Sequence, residues 1–140
     1  MGRVLIALLL VGSAAACSRG DAAPQGALIV VHEHDFALTS DVMSVRAGFV
    51  TFRVENRGPS THEFIVARTD VSADALPLQK DDLTVDEDSS KLHEVDSLDA
   101  VRLGQTRELT VKLAPGHYVL FCNLSGHYRG GMYATVEVKG

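Results

Sequence analysis

Three side chains with metal-binding chemistry follow one another near the C-terminus. Cys122, His127 and Met132 are separated from each other by four intervening residues, in a glycine-containing stretch between two strand-like runs. Thiolate and thioether are soft donors and imidazole is a borderline one, a combination that favours soft transition metals over Mg²⁺ or Ca²⁺. Each residue alone is usually an ordinary core or surface residue, so the prediction of a metal site rests on their joint spacing.

A fourth donor stands far upstream. His62 follows the turn-forming sequence 56–60 and opens another apolar, strand-like run. Two imidazoles, one thiolate and a weak axial thioether are the donor set of a mononuclear blue-copper centre. The sequence therefore predicts one copper ion per chain, cycling between Cu⁺ and Cu²⁺, if the fold brings His62 to the other three residues.

The scaffold is predicted to be all-β, a Greek-key sandwich or barrel with a long acidic loop insertion. Short apolar runs alternate with turn formers, and no long helical periodicity is visible. Val50, Phe52 and Val54 share one face of a strand over 49–56. A first strand with an irregularity is predicted over 28–38. The remaining strands are predicted at 42–45, 61–67, 105–113, 117–122 and 132–138.

Residues 69–99 differ in character because ten of them are acidic and apolar residues are sparse. The apolar residues that could dock this segment on the domain are Leu76, Leu78, Leu83 and Val85. They predict a long solvated connection with a short helix near 72–83. A solvated crossover is favoured over a partner-docking site, which stays open as the alternative.

The N-terminus has the pattern of an export signal. An apolar run, too short to span a bilayer, follows Arg3 and ends in Ala14-Ala15-Ala16-Cys17. This predicts a signal peptide at 1–16, a lipidated Cys17 with a flexible tether over 17–26, and one domain over 27–140. Ordinary cleavage that leaves a free Cys17 is the alternative. The protein is then expected in the bacterial periplasm or cell envelope, anchored to a membrane.

The number of cysteines and the charge of the chain narrow the range of possible functions. The chain has two cysteines, so a lipidated Cys17 leaves Cys122 without a disulfide partner. It has 13 basic and 18 acidic residues, and no basic patch that would indicate nucleic-acid binding. His32 and His34 would share one face of a regular strand; a solvent-facing position is favoured over a second metal site.

The spacing Cys122-x4-His127-x4-Met132, with His62-Glu63-Phe64 upstream, resembles the cupredoxins over 27–140, and its loop is most similar to the rusticyanin and sulfocyanin type. This resemblance implies that His62, Cys122 and His127 are equatorial copper ligands and Met132 the axial one. Many cupredoxins have Asn where this chain has Glu63. From the residues themselves, Asn56 and Asn123 are expected either to donate hydrogen bonds to the thiolate or to brace the two loops.

The function expected from this site is one-electron transfer rather than catalysis, by a monomer whose redox partner docks near His127. A four-ligand site has no open position for a substrate. Copper storage, delivery or tolerance is the alternative, although the chain lacks a Met-rich segment, with only Met1, Met43 and Met132. An apo structural domain would leave the donor spacing unexplained.

Overall fold

The computed structural model of the chain describes residues 26–140. Within this range the chain forms nine β-strands and no helix, so the predicted all-β class is confirmed. The strands are β1 (Ala27–His34), β2 (Ala37–Ser40), β3 (Ser44–Arg46), β4 (Gly48–Asn56), β5 (His62–Arg68), β6 (His93–Val101), β7 (Thr106–Leu113), β8 (Gly116–Phe121) and β9 (Tyr133–Lys139).

The strands form two mixed sheets that pack face to face as a sandwich. One sheet has the order β2-β1-β4-β7 and the other the order β3-β9-β8-β5-β6. The β1–β4 and β3–β9 pairs are parallel, whereas the other pairs are antiparallel. These strand directions define two ends. The upper end carries the turn after β4 and the loop 122–132; the lower end carries the start of β1 and the turns before β4 and β8.

Alternating apolar residues build the core between the sheets. Val50, Phe52 and Val54 of β4 are fully buried, as the period of two in the sequence predicts. Leu109 and Val111 of the neighbouring strand β7 lie beside them on the same face of the sheet. Burial of each such side chain contributes on the order of 1.5–3 kcal/mol, which makes this face the main source of stability.

Strands β5 and β8 are buried on both faces, which explains why their sequences are apolar almost throughout. Phe64 and Val66 point into the core between the sheets, whereas Ile65 and Phe121 point outward. The outward face is covered by residues 69–92, here called the covering segment. Ala73, Leu76, Val85 and Leu92 of this segment pack on it.

The prediction of a solvated loop with a short helix over 69–99 is therefore wrong in two respects. Residues 93–101 form strand β6, which pairs with β5 at the sheet edge. The helix expected near 72–83 is absent; an isolated bridge joins Leu78 to Val85 instead. The docking expected of this acidic segment is confirmed for Leu76, Leu78 and Val85, which pack on sheet β3-β9-β8-β5-β6.

The single first strand expected over 28–38 is also wrong. The chain reverses at Asp35 and Phe36, so β1 and β2 form an antiparallel hairpin at the upper end. Phe36 adopts a positive φ of 60°, a conformation that is uncommon for a bulky residue. The turn is hidden in the sequence because it lacks the glycine or asparagine that usually marks such a position.

The predicted signal peptide, the lipidated Cys17 and residues 17–25 of the tether lie outside the described residues. Within 26–140, no helix has the length and apolar character needed to span a membrane.

Candidate metal centre

His62 reaches the centre because a buried asparagine shapes the turn before it. Asn56 ends β4, and its side-chain amide donates to the carbonyl oxygens of Ser60 and Val101, both at 2.7 Å. The side-chain oxygen of Asn56 accepts a hydrogen bond from the Gly58 amide at 2.9 Å. These bonds fix where β5 begins, with His62 as its first, fully buried residue. Of the two roles expected for Asn56, bracing the loop is the one that the structure shows.

Loop 122–132 closes on itself at the upper end. The Cys122 amide donates to the Met132 carbonyl at 3.1 Å, and the Met132 amide donates to the His127 carbonyl at 3.1 Å. Gly126 and Gly131 have φ values of 81° and 112°, which other residues rarely adopt. The closed loop therefore holds three of the expected donors at its two ends and its middle.

The donor atoms of His62, Cys122 and His127 converge on one small volume. The two Nδ1 atoms are 3.3 Å apart, and Cys122 Sγ lies 3.6 Å from His127 Nδ1. All three donor atoms lie within 4.8 Å of one another. Within residues 26–140 no other group of three or more His, Cys, Asp or Glu residues could hold a metal ion. Met132 is fully buried at the end of the same loop.

The thiol of Cys122 is enclosed and hydrogen-bonded. The Glu63 amide donates to Sγ at 3.4 Å. Burial raises the pKa of Cys122 to about 11, although the amides of Leu124 and Glu63 act in the opposite direction. A metal cation is the kind of partner that such a thiolate needs, and metal binding would release the proton.

The carboxylate of Asp35, a residue that the sequence did not single out, lies behind the His62 ring without an aligned hydrogen bond to it. His62 Nε2 lies 3.2 Å from Asp35 Oδ1, which leaves Nδ1 free to face the other donors. Asp35 is itself fixed by the Ser60 hydroxyl at 2.9 Å. Burial lowers the pKa of His62 and the neighbouring His127 lowers it further, against the opposing effect of Asp35. A carboxylate behind the imidazole commonly orients a metal-binding histidine.

Phe36 covers the outer edge of His127. Its ring centroid lies 5.5 Å from that of His127 at an interplanar angle of 59°, and Phe36 remains 55 % exposed. The ring rests on Gly130, where a Cβ would lie 2.2 Å from Phe36 Cδ1. A glycine at 130 is therefore needed for this contact. The turn that places Phe36 here gives no recognisable sign in the sequence.

The covering segment is fastened to loop 122–132 by hydrogen bonds. The Tyr128 hydroxyl donates to the Ala73 carbonyl at 2.8 Å and accepts the Leu76 amide at 2.9 Å. Asn123 accepts the Val85 amide at 2.6 Å and donates to the Val85 carbonyl at 3.1 Å. Asn123 thus braces the loop rather than donating to the thiolate through its side chain.

Glu63 links the start of β5 to loop 122–132 through its backbone, because its amide donates to Cys122 Sγ. Burial raises the pKa of its carboxyl group.

A buried carboxyl group lies on the core side of the centre. Glu33 of β1 is fully buried, and neither of its carboxyl oxygens has a hydrogen-bond partner. Burial raises the pKa of Glu33 to about 8. Its charge also contributes to the raised pKa of Cys122, which places the two groups within electrostatic reach of each other.

His32 and His34 do not belong to the centre. His34 is exposed, whereas His32 is partly buried with Nδ1 3.4 Å from Glu55 Oε2. Neither joins a group of three donors in the described part of the chain.

The comparison with known proteins agrees with this geometry. Residues 27–139 match the family model described as copper-binding proteins of the plastocyanin/azurin family. None of the curated proteins matches the chain significantly.

Solved structures show the same fold at low sequence identity. The chain is 20 % identical to reduced auracyanin from the photosynthetic bacterium Roseiflexus castenholzii, with a TM-score of 0.62, covering 82 % of this chain and 100 % of that one. Auracyanin A from Chloroflexus aurantiacus is 20 % identical, with a TM-score of 0.59 and coverage of 82 % and 100 %. An azurin from Methylomonas sp. strain J is 16 % identical, with a TM-score of 0.57 and coverage of 83 % and 100 %. Since the family model spans most of the chain, this protein belongs to the plastocyanin/azurin family of copper-binding proteins.

Proposed function

We propose that this protein is a one-electron carrier of the cell envelope. In this proposal His62, Cys122 and His127 are the equatorial ligands of one copper ion and Met132 is its weak axial ligand. The observation that carries the proposal is the convergence of a buried thiol and two Nδ1 atoms within 4.8 Å. Members of the plastocyanin/azurin family bind one copper ion and generally act in electron transfer.

The donor set fits copper in both oxidation states. Thiolate and thioether suit Cu(I), and imidazole suits both states; bound copper would supply a reversible one-electron couple. The chain's own contribution is a fixed frame. The hydrogen bonds of Asn56 and of the closed loop 122–132 hold the donors in place, so few groups need to move when the charge changes.

The path for electrons is proposed to run through His127. His62, Cys122 and Met132 are fully buried, whereas His127 is partly exposed. Phe36 and Leu83, which is 45 % exposed, flank the loop at this end. A redox partner that docks on this apolar surface would contact Phe36 and the part of the His127 ring that Phe36 leaves exposed. The same burial argues against copper storage or delivery, which would need an ion that leaves readily.

The proposed location is the periplasmic side of a membrane, with a signal peptide at 1–16 and a lipid on Cys17. The apolar run before Ala14-Ala15-Ala16-Cys17 supports this proposal. Cys122 is the metal-site thiol, so an exported chain would otherwise carry a second, unused thiol at position 17. We propose that the carrier acts as a monomer.

A spectroelectrochemical titration of the copper-loaded protein tests the function. An electron carrier should show a thiolate-to-copper band that bleaches and returns in a one-electron step, with no loss of copper. Met132→Leu should keep the band and raise the midpoint potential. Although thioether is a soft donor, Cu(I) is stable with the three remaining ligands, whereas the more highly charged Cu(II) loses more when the fourth donor is removed. A protein that binds only Cu(I), and gives it up readily to a chelator, would indicate copper handling instead.

A further inference from the structure

The lower end of the sandwich carries exposed apolar side chains that the metal centre does not use. Leu28 of β1 is 46 % exposed and Phe49 of β4 is 42 % exposed. Leu28 pairs with Thr51, two residues after Phe49, so both side chains lie on the outer face of sheet β2-β1-β4-β7. They form a small apolar patch at the end opposite His127.

One basic residue lies against this patch, and two more lie at the same end of the other sheet. Lys112 is the register partner of Phe49, and its Nζ lies 5.9 Å from the Phe49 ring centroid. Arg46 and Lys139 are register partners of each other at the same end and are both exposed. The acidic residues at this end are Asp41, Asp70, Glu94 and Glu137. The carboxylate of Asp41 accepts the Val30 amide at 2.9 Å, and Glu137 is in contact with His117. Aromatic, aliphatic and basic side chains together are the composition of a membrane-interface surface.

The chain enters the domain at this patch. A Cβ on Gly26 would lie 2.0 Å from the Phe49 carbonyl oxygen, so the N-terminal segment meets the domain directly beside Phe49. The ten residues from Cys17 to Gly26 span at most about 35 Å, so an anchor at Cys17 keeps this end near the membrane without fixing its orientation. The patch supplies the contact that would fix it.

We propose that the lower end is a membrane-contacting face, in which Leu28 and Phe49 enter the interfacial region of an anionic bilayer while Arg46, Lys112 and Lys139 meet its headgroups. This inference rests on the proposed envelope location and lipid anchor. β4 has nine residues, so roughly 30 Å of strand separates the lower end from the upper end that carries His127. Each basic residue near an anionic surface raises membrane affinity by about fivefold.

The chain contains no tryptophan, so one introduced indole reports on one position. Phe49→Trp and the matched control Phe36→Trp, at the opposite end, are made in the full chain. Each protein is purified with its native N-terminal processing and reduced before measurement. It is then mixed with vesicles of phosphatidylcholine and phosphatidylglycerol in equal parts, carrying brominated acyl chains that quench indole fluorescence. Leu28→Trp serves as a second reporter if Phe49→Trp folds poorly.

We expect the lower-end indole to shift to shorter wavelength and to be quenched at least severalfold more than the indole at Phe36. Lys112→Gln should lower the apparent affinity for the vesicles, measured by this quenching, by about fivefold. Equal quenching at the two positions, or no flotation of the protein with the vesicles, overturns the proposal. A blue shift that depends on protein concentration without lipid also overturns it, because a second copy then covers the patch. The blue absorption band, read on the oxidised sample, tests the electron-carrier function separately.

Discussion

Replacing the buried Glu33 by glutamine should change how stability depends on pH. Burial raises the native pKa of Glu33 from 4.5 to about 8. Below about pH 4 the group is protonated in both folded and unfolded protein, so it has no pH-linked effect. As the pH rises from 4.5 to about 8, the unfolded chain releases the proton while the native protein retains it, which lowers the free energy of unfolding. Above about pH 8 the carboxyl group is ionised in both states, so it lowers the free energy of unfolding no further.

The size of this effect follows from the shift. One pKa unit corresponds to about 1.4 kcal/mol, so the shift makes the wild-type protein lose about 5 kcal/mol across the whole range and about 3 kcal/mol by neutral pH. Glutamine has the same shape and stays neutral. The unpartnered amide of Glu33→Gln costs the same at every pH and therefore cancels when two pH values are compared.

Urea unfolding of the metal-free protein measures this directly, at a pH near 5 and at one above 8. The free energy of unfolding of Glu33→Gln, relative to wild type, should increase by several kcal/mol between the two conditions. Glu94→Gln, at an exposed position on β6, is the matched control and should show no such change. A pH-independent difference between Glu33→Gln and wild type would show that the native carboxyl is already ionised, and would refute the reasoning.

Three further changes probe the supports of the metal centre. Tyr128→Phe leaves the Leu76 amide without its acceptor and should lower the free energy of unfolding by about 1–3 kcal/mol, measured by urea titration, with faster copper loss to a chelator. Asn56→Ala removes three buried hydrogen bonds and should cost about 3 kcal/mol, whereas an equal effect from Asn123→Ala would argue against a special role for the turn before β5. Gly130→Ala should displace Phe36 from His127, detectable as a changed His127 ring environment in NMR; an unchanged spectrum would contradict the contact.

The regular strands could be predicted because their residues alternate without interruption. In β4 the buried Val50, Phe52 and Val54 alternate with polar or partly exposed residues, as a strand covered on one face requires. Strand β6 was missed for the opposite reason. It lies at a sheet edge, its buried Leu98 and Val101 are three residues apart, and a register shift against β5 breaks the period of two. The surrounding acidic residues made the same stretch look like a solvated loop.

The donors of the metal centre could be predicted from residue type and spacing, since three lie in one short loop. The residues that hold those donors in place could not be predicted. Asp35 and Phe36 come from a hairpin turn whose positive φ is occupied by a phenylalanine. The sequence indicates an irregularity in this stretch, but not a chain reversal that reaches His127. Tyr128 was also missed, because its partners lie in a segment whose docking depends on the folded sheet.

The most direct test of the metal centre is the visible and electron paramagnetic resonance spectrum of the Cu(II)-loaded full chain. It is compared with Cys122→Ser and with Met43→Leu, which changes an exposed thioether far from the centre in sequence. The wild type and Met43→Leu should show an intense thiolate-to-copper band and the narrow copper hyperfine splitting of a covalent site, and Cys122→Ser should show neither. A Cys122→Ser protein that keeps the intense band would contradict the assignment of Cys122 as the copper ligand.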